Sequence, residues 1–383
     1  MTDPSGIAPN GLTLSQDALF IVALMNGRRT HPDIQAEFMR SQGHMLFSDE
    51  LDMIIRQLDE ARFLEGPSFD AHIAKLTRQY REAPARPLRD KNTLGAPEER
   101  LPEYFDAMLA EAARGHTTTD RVLGIIAPHL DYARGAPCYA PAYASLAHRT
   151  GATRFVILGT NHFGLSSCVV GTRQAFETPW GNVPADTVFM RRLDDRCGAD
   201  LCEGEYDHAR EHSIELQVLL LRHVMAGRDI TIAAYLCPDP CGPTGTRPAN
   251  GRGVDLDSFA AALRDEIEED DVPTCLIAGA DLSHVGRFFG DDRELDADTL
   301  HAVEASDRQA IDHLLDADAE SFRNCIASTE NATHICSAGS IYTLTMALHG
   351  RARPRLLHYH QAVTKEAHNC VTCCALEFTA PPP

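Results

Sequence analysis

Three histidines, His129, His162 and His284, each follow an apolar run that ends in a short polar group. Residues 122–127 lead into Pro128-His129-Leu130-Asp131, residues 155–159 into Thr160-Asn161-His162, and residues 275–280 into Asp281-Leu282-Ser283-His284. Imidazole is a common metal ligand and the usual proton carrier near neutral pH. One such histidine is ordinarily a structural hydrogen-bonding group. Three at corresponding strand ends are expected to meet in one cleft, because open α/β sheets form their sites there. A fourth segment, Glu211-His212-Ser213-Ile214-Glu215, opens an apolar helix over 213–225. His212 and Glu215 share a helical face, but both glutamates are equally well explained as acidic complements to the helix dipole. His212 is therefore the candidate of that segment. The fifth is Cys336, which follows the polar stretch 331–334 and starts another apolar helix over 337–349. A helix N-terminus favours thiolate, the form that a metal or a redox reaction requires.

Imidazole and thiolate ligands suit Fe(II), Cu(I) or Zn(II), and do not suit Mg or Ca. Asp281 and His284 are placed to orient a ligand or move protons.

The elements that must hold these residues are legible as alternating apolar strands and helices. Runs at 122–127, 155–159, 230–236 and 275–280 are continuously apolar, the pattern of strands buried on both faces. Two more strand-like runs close the chain at 356–360 and 370–378. This predicts an α/β class with a central, mainly parallel sheet flanked by helices. Residues about 12–80 read as a separate module of three short helices. Ser15 is a candidate N-cap, and breaks fall at Asn26-Gly27 and Gly43. Residues 63–66 read as a short turn-strand, making this a small winged-helix-like domain. The expected division is 1–82 for that module, 83–120 for a Pro-rich linker and leading helix, and 121–383 for the α/β domain. On this reading a chain starting near Leu101 retains a cooperative fold.

Composition bounds the partners. The chain has 55 acidic and 35 basic residues in 383, a formal charge of −20. Such a chain repels phosphate backbones, so nucleic acid is not expected as a partner. Residues 1–82 carry 12 acidic and 8 basic side chains, which favours peptide or protein docking over DNA for the helical module. No apolar stretch is long enough to span a bilayer. The N-terminus lacks a signal-peptide pattern, so a cytoplasmic location is expected, with no membrane partner. The 12 cysteines are then thiols or ligands and not a disulfide framework. Cys370, Cys373 and Cys374 lie in an apolar, β-branched run and are expected to pack as core.

The ordered set IIAPHLDY, FVILGTNHFG, TPWGNV, EHSIELQ, ADLSH and NATHICSAG, over residues about 120–380, resembles the Memo family, or AmmeMemoRadiSam system protein B. One departure stands out: PHLDYARGAP replaces the usual PHAGYxYSG, adding Asp131 and Arg134. The resemblance implies a fold similar to class III extradiol dioxygenases, which hold non-haem iron. It implies His129, His162 and Cys336 as metal ligands, three that leave open positions as in catalytic rather than structural sites, with His212, Asp281 and His284 as further, catalytic pocket residues. One transition metal ion is the implied cofactor, Fe(II) first, with Cu or Zn as alternatives. Three functions follow. One is a metal-dependent redox enzyme acting on a small-molecule or peptide substrate. Another is a non-catalytic member binding protein partners of a radical-enzyme system. The third is a zinc hydrolase.

Overall fold

The computed structural model describes residues 1–9, 11–89, 93–112, 120–291, 293–366 and 368–381. The chain divides into two compact units, Met1–Glu82 and Ala83–Pro383.

The first unit is helical. Helix α1 spans Gln16–Leu24, and the Ser15 side chain accepts a hydrogen bond from the Ala18 N–H at its start. Helix α2 spans His31–Gln42; Thr30 and Asp33 form a capping box, and Gly43 ends it at φ 77°. That left-handed conformation suits glycine, which has no Cβ to clash. Helix α3 spans Ser48–Glu60. Ile21, Leu24, Ile34, Phe38, Leu46 and Leu51 form the small core. The expected turn-strand at 63–66 is absent. Those residues turn into a fourth helix, α4, Pro67–Glu82, and no strand occurs among the described residues of this unit. Pro67 supplies the reason: it pre-sets the first helical turn and donates no ladder hydrogen bond.

The second unit is an α/β sandwich. Helix α5 is Leu101–Ala112. The strands are β1 Val122–Ala127, β2 Arg154–Thr160, β3 Val170–Thr172, β4 Thr231–Cys237, β5 Thr274–Gly279, β6 Asp281–Gly286, β7 Arg353–Thr364 and β8 Asn369–Thr379. They form one sheet in the order β3-β4-β2-β5-β1-β8-β6, with β7 paired to β8. The four central strands, β4, β2, β5 and β1, run parallel. The pairings of β3, β6, β7 and β8 are antiparallel. The continuous apolar runs are explained by helices on both faces. Alongside α5, one face is packed by α6 (Tyr132–Arg149) and, further along the chain, α8 (Glu215–Val224). The other carries α7 (Thr187–Cys197), α9 (Leu256–Glu269), α10 (Ala297–Leu315), α11 (Ala319–Ser328) and α12 (Ala338–Ala347). Cys370, Cys373 and Cys374 are buried in β8, and all twelve thiols are free. No helix among the described residues is long and apolar enough to cross a membrane.

The Pro-rich segment after residue 82 is tied into this second unit, although parts of it, 90–92 and 113–119, lie outside the described residues. The Arg86 N–H donates to the Ala175 carbonyl at 2.7 Å, and the Glu177 N–H donates to the Arg86 carbonyl at 2.9 Å. Leu94, Leu101 and Phe105 are buried core residues. A chain starting near Leu101 therefore loses a buried arginine and a core leucine. A chain starting at Ala83 is expected to melt cooperatively. One starting at Leu101 is expected to lose roughly 3 kcal/mol or more relative to it. Thermal melts of the two, followed by circular dichroism, check this; equal midpoints would return the segment to the role of a linker.

Candidate metal centre

The site forms at the carboxyl ends of β1 and β2. Three imidazoles, His129, His162 and His212, present ligand atoms that all lie within 4.8 Å of one another. The His129 and His162 rings meet edge to face with centroids 4.9 Å apart, and His212 stacks on His162 at 5.1 Å. Chain crossings at this point demand small residues. A Cβ at Gly159 or Gly279 would collide with the Ser213–Ile214 segment that leads into α8.

Each first-named ring is held by its Nδ1. The His129 Nδ1 lies 2.9 Å from the Gly279 carbonyl, which can only accept, so this nitrogen carries the proton and Nε2 faces the site. The His162 Nδ1 lies 3.0 Å from a Glu211 carboxylate oxygen, which fixes the same tautomer. Such partners orient a metal-ligating histidine and raise its basicity. Glu211 is buried and accepts the backbone N–H groups of His162, His212 and Ser213, each at 2.9 Å.

Cys336 and Asp281 close the other side. The Cys336 Sγ and an Asp281 carboxylate oxygen each lie 3.5 Å from the His129 Nε2. The second Asp281 oxygen accepts the His129 backbone N–H at 2.9 Å. Cys336 sits just before α12 and not within it, one residue ahead of Ser337. The loop that carries it is strained and pinned. Glu330, Asn331 and His334 all have left-handed φ, 53°, 52° and 56°, a cost tolerated mainly where function fixes the backbone. The Asn331 side chain makes two hydrogen bonds to the Ile335 backbone, and the His284 N–H donates to the Thr333 carbonyl at 2.7 Å.

Asp281 and His284 do not follow the fourth strand as a loop. Gly279 ends β5, the Ala280 N–H donates to the Ala127 carbonyl at 2.7 Å, and Asp281 opens the separate strand β6 on β8. The switch of strand partners brings Asp281 under His129. His284 lies further along; its Nδ1 is 3.0 Å from the Leu282 carbonyl, and its ring stands edge-on to Phe289 at 5.0 Å.

The electrostatics follow from this crowding. Burial alone would push the His129 imidazole down, but Asp281 and Cys336 raise it to about 9. Burial is likewise outweighed at His162, where Glu211 and Cys336 hold the ring well above the usual imidazole range. His212 is depressed to about 4 by burial and by the charges of His129 and His162. Burial would raise Glu211, yet His162, His212 and the backbone donors keep it well below the usual carboxylate range. Burial would also raise the Cys336 thiol; His129, His162 and His284 pull it well below its ordinary value. The pocket therefore holds two imidazoles whose protonated forms are stabilised by neighbouring anions, a thiolate and one neutral imidazole. Once the Nε2 protons are displaced, these nitrogens and the sulfur fit a late first-row transition ion.

The chain matches the Memo-like protein family model over residues 95–376. It belongs to the Memo-like family. A MEMO1 family protein of Aquifex aeolicus is 25% identical over 87% of this chain and 82% of its own length. That share exceeds what residues 83–383 can supply, so the similarity runs into the N-terminal unit. MEMO1 family proteins of Methanococcus maripaludis strain C5 and Desulfurococcus amylolyticus are 28% and 29% identical, covering 66% and 62% of this chain and 82% and 75% of theirs.

Within this Memo-like site the structure brings His129, His162, His212, Asp281 and Cys336 together and sets His284 to one side. Three residues that hold it were not singled out by sequence. Glu211 orients His162. Ser337, fully buried, accepts from the Asp281 N–H at 3.0 Å and the Thr160 hydroxyl at 3.1 Å, with the Cys336 Sγ at 3.2 Å. Ser213 accepts from the Thr160 N–H at 3.0 Å. The serines carry no sequence signal beyond lying beside His212 and Cys336. Glu211 did carry one, but the helix dipole explained it equally well.

Proposed function

We propose that this Memo-like chain is a metal-dependent redox enzyme that holds one transition ion through His129, His162 and Cys336. The observation that carries the reading is the pair of committed Nδ1 atoms, on Gly279 and Glu211, which turns both Nε2 atoms toward a thiolate as the nitrogens that can ligate once their protons are displaced. Fe(II) is the ion we favour, on the family's resemblance to extradiol dioxygenases; bound there, it would supply redox chemistry at the pocket. The protein's own part is to bind, orient and move protons. His212 stays neutral near pH 7 and is placed to accept a proton from a bound substrate. Asp281 holds His129 in position through its backbone N–H. His284 stands to one side, where it would contact substrate with the neighbouring Phe289. A small molecule or a peptide is the substrate class, and proteins of a radical-enzyme system are the proposed partners.

A second reading replaces Cys336 with His212 as the third ligand. The mutual distances of the three imidazoles favour it. Elemental analysis after anaerobic purification without chelators separates the alternatives. Iron or copper near one per chain supports the redox reading; zinc with hydrolytic turnover supports a hydrolase. Cys336→Ser is expected to lower metal occupancy at least about tenfold, since the serine hydroxyl stays protonated at neutral pH. His212→Gln is expected to keep the metal and lose turnover. The reverse pattern would give the third position to His212. Full occupancy of a Cys336→Ser, His212→Gln double variant would remove both.

A further inference from the structure

The N-terminal helical unit has an apolar groove that the proposed chemistry does not use. It is about 330 Å³ in volume and is lined by residues of α1, α2 and α3, of the segment just before α1 and of the connection between α2 and α3. Ala18, Ile21, Phe38 and Leu46 form a buried floor. Met45 and Met53 stand at its sides, 60% and 48% exposed. Methionine is flexible and polarisable, and exposed methionines suit surfaces that mould themselves to a partner's side chains. Asp17 on α1 and Glu50 on α3 also line the groove, with exposed Asp49 and Asp52 next to Glu50. No lysine or arginine lines it among the described residues; His44 does, with its Nε2 3.5 Å from an Asp17 carboxylate oxygen, so the groove's exposed carboxylates outnumber its one ionisable base.

We infer that this groove is a docking site for a basic amphipathic helix of a partner protein. Three observations select that occupant. The unit offers no strand edge among its described residues, so a partner gains nothing from main-chain pairing and must insert side chains. The volume suits roughly two or three aliphatic side chains, which a helix supplies at spacings of three and four. The acidic lining calls for lysine or arginine flanking those side chains. A second copy of this chain, at −20, would bring acid against acid. Anionic lipid and nucleic acid are repelled for the same reason.

The test uses the full chain and a labelled peptide of about 18 residues, five helical turns. It carries leucines at helical spacing, with lysine and arginine elsewhere. A second peptide keeps the leucines and replaces the basic residues with glutamate. Anisotropy titrations are expected to show the basic peptide binding at least about tenfold more tightly, with affinity falling as salt is added. Met45→Ser with Met53→Ser is expected to weaken that binding about tenfold or more without changing charge. Met39→Ser, exposed but outside the groove, is expected to leave it unchanged. Glu50→Gln is expected to flatten the salt dependence. Circular dichroism of each variant checks that its helices remain. Equal affinity for the two peptides overturns the inference, as does binding untouched by the double substitution. Self-association of the parent that disappears in the double variant also overturns it, because the occupant is then a second copy.

Discussion

Replacing Arg86 with methionine is expected to destabilise the second unit by about 3–5 kcal/mol and to loosen the metal site with it. Arg86 is 1% exposed and lies far from the site in sequence. Its guanidinium donates to the His208 carbonyl at 2.7 Å, to the Glu211 carbonyl and to the buried Glu215 carboxylate. Its flat face lies 5.1 Å from the centre of the Phe176 ring. One side chain thus pins the segment 208–215, which carries both Glu211 and His212. Methionine keeps much of the volume and removes every donor. Glu215 would be left as a buried anion, with the Arg89 N–H at 3.0 Å as a remaining donor. Urea unfolding midpoints measure the loss. The double change Arg86→Met, Glu215→Leu separates its parts. It removes the stranded charge, so a large share of stability should return. It does not restore the guanidinium bonds to the His208 and Glu211 carbonyls, the first of which keeps its local Glu211 N–H donor at 3.3 Å, so metal occupancy should stay low. A loss under about 1 kcal/mol in the single variant would mean that water reaches the pair.

Arg86 also shows where reading the sequence runs out. The strands β1, β2, β4 and β5 were legible because burial on both faces writes a continuous apolar run. The histidines were legible because they end two of those runs. The family's six motifs give the same fold. Arg86 sits among prolines and arginines, a composition that reads as solvated chain. Nothing local tells a solvated arginine from one buried on a partner 129 residues away. Strand β6 was missed for a related reason. Asp281-Leu282-Ser283-His284 is too polar to read as a buried strand, yet Ser283 is fully buried. Its hydroxyl bonds Asp307 at 2.6 Å, and Asp307 also accepts from Thr372 and Tyr359. Polar residues satisfied by one another leave no hydropathy signal. At 63–66 the error ran the other way: a short apolar pair was read as strand, and Pro67 started a helix.

The electrostatics of the pocket's own residues change what pH should do to metal binding. An imidazole of ordinary basicity would stop competing with metal above roughly pH 6.5. His129 does not have ordinary basicity: with Asp281 and Cys336 beside it, it holds its proton to about 9. His162 is also raised, by Glu211. Before metal binds, both rings are therefore held in the protonated form at neutral pH, and the Nε2 proton must leave before that nitrogen can ligate. The Cys336 thiol is already deprotonated and adds no competition. The sign follows: affinity falls as pH drops below about 9. Each displaced proton contributes about tenfold per pH unit, so two give up to about a hundredfold. Zinc, used as a redox-silent probe, is expected to bind ever more tightly from about pH 6.5 to about pH 9. Titrations in buffers of different ionisation enthalpy should register the released protons. Asp281→Asn provides the internal control. Its side-chain carbonyl can still accept the His129 N–H, but the charge that holds the imidazole proton is gone. The rising limb should then end at lower pH, and affinity near pH 7 should move toward its plateau. A parent protein whose affinity is already flat above about pH 7 would mean that His129 and His162 are not both ligands. The three-imidazole cluster would then have to be read as a proton-handling site.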